Sequence, residues 1–405
     1  MFYDGLLNAL TGMGGQHDKH RAAAYGRAHL GDSQLLAAYE TSSVGGKIVD
    51  IPALDATREW RVWHAETESR AKLEAIEKRL GLRGKVKNAL ISARLYGGAA
   101  LYASDGLGEA QAIQGPIHGL RVLPKACLTA SKERDEDLSS PRYGDPLWFD
   151  MAVSGGKTLK IHPSRLALFH GLAQPSGAQE DLFWGKSVLG PVMDPLKALD
   201  AALHNASALF HKAVVDTIKS PGLSEALKRP EGEAAIRKRL ETFKIGMSIH
   251  NLAVLDGEES LDRPAVRFDG QDRMMQEFAQ AVAAAADIPM TRLFGRSPSG
   301  MNASGQSDLR NYYDRIRAMQ ELEMAPALIN FDRLIVREAV GEAPPTPAYG
   351  WRPLWQSTQD EVAETALKLS NALSAMVREG VVDAPTARAN WDAAMGELGL
   401  FGGTQ

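Results

Sequence analysis

The residues whose types could do chemistry are a lysine in a glycine turn, serines in a glycine-rich stretch, two histidine pairs and one cysteine. SGGKT at 154–158 has the glycines and lysine with which a phosphate-binding loop holds a nucleotide. That loop also needs a glycine at 151, where this chain has Met151, and a helix to follow, where it has the strand pattern TLKIHP. A hairpin turn is the better reading. SSVGGKIVD at 42–50 fails in the same way, with Thr41 in place of the glycine and Ile48 in place of Ser or Thr. Ser299, Ser304 and Ser307 stand near glycines, as a nucleophile does on a strand-to-helix elbow, but G-x-S-x-G spacing is absent and no strand leads into them. His204 with His211, and His17 with His20, lack cysteine or carboxylate company at zinc spacing and read as surface or interface residues. Cys127 in LPKACLTA reads as a small core residue. No catalytic residue, metal site or cofactor is therefore expected.

The serines lie in GRSPSGMNASGQSDLRNYY, residues 295–313. From Gly295 to Ser307 almost nothing can anchor a core, so the segment is expected to be an exposed, mobile loop. A loop of that length inside a domain is either a linker or a working part. The elements around it must hold it. On one side a helix is expected from about Gln271 to Ala286, with Met274, Phe278 and Val282 spaced by four, before ADIPMTRLFG breaks at Pro289. On the other, Ser307 or Asp308 can cap a long helix carrying Tyr312, Ile316, Met319, Leu322, Ile329 and Ile335, with a kink at Pro326.

The rest of the chain divides by pattern. Residues 1–45 lack clear periodicity and read as a loosely structured arm. Helices are expected from Ala65 to Leu80, stopped by Gly81, and from Lys85 to Tyr96, followed by the strand AALYAS. Short apolar runs between 113 and 170, HGLRVLP, DPLWFDMAV, LKIHP and RLALFHG, are strand and hairpin signals. DPLKALDAALHNASALFHKAVVDTI carries Leu196, Leu199, Leu203, Ala206, Phe210 and Ala213 on one stripe, with Asp194 as cap and Pro195 in the first turn, predicting a helix to about Ile218. A small α/β insertion follows, with a charged helix (Glu231 to Phe243) and the strand NLAVLD at 251–256.

Composition narrows the function classes. The 405 residues are 44% hydrophobic and 24% charged, ordinary for a soluble protein, and exceed what one core usually holds. Apolar runs such as AVAAAAD at 281–287 are far shorter than the roughly 20 residues of a membrane helix. MFYDGLLNALTGMGG has no secretory pattern, and a single cysteine suits a reducing compartment. A formal net charge of −4 argues against a protein that grips nucleic acid over most of its surface.

The order helix, small α/β insertion, helix, loop, kinked helix, together with FWGKSVLGPVMDPLKAL at 183–199, ADIPMTRLFG at 286–295 and SPSGMNASGQSDLRNYYDRI at 297–316, resembles the portal proteins of tailed bacteriophages. IPALDATREWRVW at 51–63 is similar to the opening of that family's wing, and the resemblance covers about residues 40–340. It implies an α+β, mainly helical portal fold: arm 1–45, α/β wing 46–190, first stem helix 191–218, clip 219–262, second stem helix 263–294, tunnel loop 295–307, kinked helix 308–345 and a helical crown region 346–405, which could instead pack on the wing. It further implies a homo-oligomeric ring, a dodecamer, at the capsid vertex, through which double-stranded DNA passes without sequence readout. The implied partners are terminase, a head–tail adaptor at the clip, and major capsid or scaffolding protein, with no membrane. The implied location is the virion, and the host cytoplasm during assembly. Packaging motors hydrolyse ATP, but nothing in this chain provides for it.

Under that resemblance the loop's task is physical. A channel cannot hold the duplex tightly at every step, so Ser299, Asn302, Ser304 and Gln306 would make short-lived hydrogen bonds to phosphate, with Gly300 and Gly305 letting the loop yield. Arg292, Arg296 and Arg310 would add a modest attractive charge, or else pair with acidic groups of neighbouring subunits. Long helices with narrow apolar stripes would be covered by packing in a ring, with Phe210, Tyr312 and Tyr313 as interface candidates. The alternative is a soluble hydrolase with a flexible active-site lid at 295–307.

Overall fold

The computed structural model describes residues 30–140, 142–153, 156–174, 183–212, 217–219, 260–262, 270–296, 305–341, 348–355 and 359–397, with scattered positions between 228 and 241. The chain divides into a unit built from residues 1–193 and 283–405 and a second unit, 194–282.

The described part of the first unit begins with two helices, α1 (Asp32–Thr41) and α2 (Gly45–Arg58). Helix therefore reaches into the region expected to be a loose arm, and Leu35 is buried. The Gly45-Gly46 pair that looked like part of a phosphate loop has a packing explanation: a Cβ on Gly45 would lie 2.1 Å from the Ala38 carbonyl oxygen. Only glycine lets the turn between the helices close so tightly. Pro52 sits inside α2. Its missing N–H would leave the carbonyl of Ile48 without its helical donor. Arg94 supplies one, with Nη2 donating to Ile48 O at 2.9 Å and Nε to Val49 O at 3.0 Å.

Strand β1 (Arg61–Trp63) leads to α3 (Thr67–Leu80) and α4 (Leu82–Tyr96). Gly81, at φ 60°, ends α3 and starts α4 in the left-handed conformation that glycine adopts without strain. Strand β2 (Gly98–Ser104) is buried along nearly its whole length. It is the central strand of an antiparallel sheet between β3 (Gly119–Pro124) and β7 (Leu166–His170), with Leu101 opposite Val122 and Ala167. A second antiparallel sheet runs β4 (Leu128–Ala130), β5 (Phe149–Val153), β6 (Lys157–Ile161). The β5–β6 hairpin pairs Val153 with Lys157, so the lysine and threonine of SGGKT belong to a strand and not to the helix a phosphate loop needs. Cys127 lies in a 3-10 turn and is half-buried, more open than a core residue. The two sheets share a core of Tyr102, Leu128, Phe149, Ile161, Leu166 and Trp184.

Beyond position 283 the unit continues with α7 (Met290–Phe294), α8 (Gln306–Met319), a π-helical turn (Gln320–Met324) and α9 (Ala325–Val340). The Ala325 N–H bonds Gln320 O across the π turn, immediately before Pro326. The irregularity expected at the proline is thus a local widening of the helix. Strand β10 (Tyr349–Trp351) pairs antiparallel with β1, Val62 facing Gly350. Arg61 of β1 donates to both Asp332 oxygens, at 2.7 and 2.5 Å, and to Glu77 Oε1 at 2.9 Å, tying β1, α3 and α9 together. Two further helices, α10 (Gln359–Arg378) and α11 (Ala384–Glu397), stand on either side of a break at residues 379–383 within REGVVDAP.

In the second unit, α5 (Met193–Lys212) begins one residue before Asp194 and ends earlier than expected. Thr217–Lys219 is instead a strand, β8, paired with β9 (Ser260–Asp262). On α5 the apolar stripe changes character: Leu196 and Leu199 are buried and Leu203 is exposed. Helix α6 (Gln271–Ala286) has the expected bounds. The NLAVLD segment lies outside the described residues, and the charged helix at 231–243 is described only in part.

Candidate functional site

The site is the segment between α7 and α8 and the frame at its two ends. Pro289 starts α7, Gly295 at φ 69° ends it, and Gly305 at φ 60° stands at the head of α8. Both glycines occupy the left-handed region, so the chain turns sharply on leaving α7 and again on entering α8. Leu293, 1% exposed, anchors α7 in the core.

The polar anchor is a single carboxylate. Asp55 of α2 is 0% exposed and receives hydrogen bonds from both flanks. Arg292 donates through Nε to Oδ2 at 3.0 Å and through Nη2 to Oδ1 at 2.9 Å, and the Tyr312 hydroxyl donates to Oδ2 at 3.0 Å. The fork of a guanidinium matches the two carboxylate oxygens, which is the strong, directional form of this bond. The hydrogen bond to Asp55 holds the Arg292 guanidinium above its ordinary value, and burial, reinforced by Asp55, raises the Tyr312 hydroxyl well out of reach of physiological pH. Tyr312 therefore remains a donor. Gln320 Nε2 donates to Ala56 O at 2.8 Å, fixing the far end of α8 to the same helix. Arg94, whose bonds complete α2, has its guanidinium pushed down by burial to about 10 and is still charged at neutral pH.

Outside this anchor lies an aromatic shelf. The Arg310 guanidinium stands 5.2 Å from the Trp355 ring centre, Trp355 is 6.3 Å from Tyr313, and Arg58 stands 5.0 Å from Tyr313. Cation–π contact of this kind holds a guanidinium without neutralising it.

The expected site residues sort as follows. Arg296 is exposed at the last described position before the loop, and Arg310 is exposed on α8. Ser299, Asn302 and Ser304 lie outside the described residues. Gln306 is exposed but belongs to the first turn of α8, so helix begins sooner than the expected loop end at 307. Arg292 needs correction as a free flanking charge, because Asp55 already engages it. Tyr312, expected at a subunit interface, is 4% exposed and faces inward within its own chain, because its hydroxyl has a buried acceptor there. Tyr313 is half-buried on the shelf. Phe210 falls on α5, and its side chain lies outside the described set.

Asp55 itself was not singled out from the sequence. A signal was present: Ile48, Ile51 and Asp55 follow the three-and-four spacing of a core-facing stripe, and a carboxylate on such a stripe needs a buried partner.

Residues 33–375 match the family description of phage portal protein. The chain belongs to the phage portal protein family. Among curated relatives, this portal chain is 35% identical over 383 residues to the anti-CBASS protein Acb1 of Caulobacter sp. (strain RHG1), covering 89% of this chain and 61% of that protein. It is 36% identical over 378 residues to the anti-CBASS protein Acb1 of Sphingomonas paeninsulae, covering 89% and 60%. The chain thus spans about three fifths of these relatives' length. An uncharacterized protein of Haemophilus influenzae (strain ATCC 51907 / DSM 11121 / KW20 / Rd) is 29% identical, with 86% of this chain and 80% of that protein covered. Among solved structures, a chain of the virion of a native gene transfer agent particle superposes with a TM-score of 0.53 at 15% identity, covering 92% of this chain and 97% of the other. A chain from the neck of a native particle, computed with C12 symmetry, gives 0.54 at 15%, covering 92% and 96%. These neighbours share the fold, mainly helical with small sheets.

Proposed function

We propose that the chain is the subunit of a ring at a capsid vertex, and that the segment from Gly295 to Gln306 lines the channel through which DNA enters and leaves. The observation that carries this reading is the Asp55 anchor: Arg292 and Tyr312, on opposite sides of the segment, end on one buried carboxylate. Such a frame fixes where the two ends of a polar segment stand, as a channel surface requires. Family membership and the likeness to a particle neck with C12 symmetry support a ring, for which we take twelve subunits.

Arg296 and Arg310, both exposed, are the basic groups proposed to meet phosphate, with Ser299, Asn302, Ser304 and Gln306 as transient hydrogen-bonding partners. Phosphate contact of this kind is independent of base sequence and weakens steeply with salt, which suits DNA that must slide. Residues 219–262 are proposed to meet a head–tail adaptor. Terminase and capsid or scaffolding protein are further proposed partners, and the virion, with the host cytoplasm during assembly, is the proposed location. The role is structural; the hydrolase alternative gains no support from the family. The anti-CBASS name belongs to whole proteins of which this chain spans about three fifths, and that activity is not carried over.

The test is a chain lacking residues 297–304, produced alongside the intact one. Annular particles should form in both, and packaging or retention of DNA should fall in the shortened form. Normal packaging by the shortened ring would refute the reading.

A further inference from the structure

We infer that Asp55 is a positioning residue for the channel segment: it sets the separation and direction of the two flanks, α7 and α8, and thereby where the segment stands. This rests on the reading of 295–306 as facing DNA. Asp55 lies on α2, 237 positions before Arg292 and 257 before Tyr312, so neither flank is placed by its neighbours in sequence. Both flanks converge on the two oxygens of one side chain, which is 0% exposed. Arg292 takes one oxygen from each arm of its fork, and Tyr312 shares Oδ2. The nearest other cation, Arg58 on the same helix, stands 3.7 Å from Oδ1 and is directed instead to Leu354 O at 2.5 Å and to the face of Tyr313. Removing the carboxylate would therefore take a polar bond from both flanks, whereas removing Tyr312's hydroxyl would take one from α8 only.

A second feature makes this geometry more than packing. The α7 helix is five residues long and has no side-chain cap, and Leu293 is its one fully buried residue, beside the Arg292–Asp55 pair. Short uncapped helices do not persist without tertiary anchors. Helix α8, by contrast, is also held by Ile316 and Gln320, both buried. The loss of Asp55 should thus fall chiefly on α7.

The experiment uses the full chain and three variants, Asp55→Asn, Asp55→Ala and Tyr312→Phe. Amide hydrogen exchange is followed in 290–295, in 306–316 and in β2 as an internal reference, with DNA retention measured on assembled particles. Asp55→Asn keeps the shape of the side chain and loses the charge that matches Arg292. We expect exchange in 290–295 to rise about tenfold in Asp55→Asn, in line with loss of charge-assisted bonds, while β2 is unchanged. Tyr312→Phe should loosen 306–316 by a few-fold and leave 290–295 protected. DNA retention should fall in Asp55→Asn with annular particles intact. Asp55→Ala serves as the stronger variant and is read only if β2 stays protected. Unchanged exchange in 290–295 for Asp55→Asn would overturn the inference. So would loosened flanks with normal DNA retention in a system where deletion of 297–304 lowers retention. If that deletion leaves retention normal while Asp55→Asn still loosens the flanks, the channel reading fails and the anchoring stands.

Discussion

Replacing Asp332 by alanine breaks a charge cluster that is almost wholly buried. Arg61 has a 0% exposed side chain, and its guanidinium is held by Asp332 at 2.7 and 2.5 Å and by Glu77 at 2.9 Å. Its carbon lies 4.5 Å from the Trp63 ring centre and 4.3 Å from that of Tyr349. Burial works against the charge on Arg61, and Asp332 and Glu77 outweigh it, so the guanidinium stays charged when one partner is removed. Alanine at 332 leaves a buried cation with half its partners, at a cost of about 3–5 kcal/mol. At about 2 °C per kcal/mol for a unit of this size, the thermal midpoint should fall by roughly 6–10 °C. The assay is thermal unfolding of the purified protein at fixed concentration, since assembly would itself shift the midpoint. The triple variant Arg61→Met, Glu77→Gln and Asp332→Leu should recover much of the loss: no buried charge is then left without its counterpart, and the amide oxygen brought in by Glu77→Gln can accept the Trp60 Nε1 bond, 3.0 Å in the parent. A shift below about 2 °C in Asp332→Ala would refute the view that this cluster fastens β1 to α3 and α9.

Two further predictions concern the first unit. The Asp105 carboxyl is pushed up by burial, but bonds from the Gln114 N–H, Arg165 and the Leu107 and Gly115 N–H groups outweigh this and hold it well below its ordinary 3.8. Its stabilising contribution is therefore complete above about pH 4 and lost as pH falls below that. The urea midpoint of Asp105→Asn should lie well below the parent's at pH 7, and the gap should narrow by pH 3; a constant gap would contradict the assignment. Gly98→Ala would place a Cβ 2.2 Å from Trp184 Cε3, in a side chain that is itself buried, whereas Gly108→Ala meets nothing within 4 Å. The first should cost roughly 1–3 kcal/mol and the second under about 0.5, read from denaturant midpoints, and equal effects would exclude close packing as the reason for Gly98.

Much of this was legible along the chain because it depends on neighbours. The α3 stop at Gly81, the α6 bounds, the β5–β6 hairpin and the break after Arg378 follow from local spacing, glycine conformation and turn residues. Local rules overreached where a helical pattern met a strand partner: Thr217–Lys219 continues the periodicity of α5 but pairs with Ser260–Asp262. They also left Gly45-Gly46 without a role once the phosphate loop was rejected, because its reason is the backbone of Ala38 at a tight helix–helix corner. At the site, the glycines and the exposed arginines Arg296 and Arg310 could be picked out from residue type alone. The roles of Arg292 and Tyr312 could not.

By itself the sequence determined the mainly helical character and the position of a polar segment between two helices, because each is encoded in composition and short-range period; the family rests on the resemblance of whole motifs and on the match over residues 33–375. Tertiary structure alone decided which charges stay free. Arg292 and Arg310 look equivalent in sequence, yet one meets Asp55 across 237 residues and the other rests on Trp355. A buried carboxylate must be paired, and which cation pairs with it depends on where the chain returns.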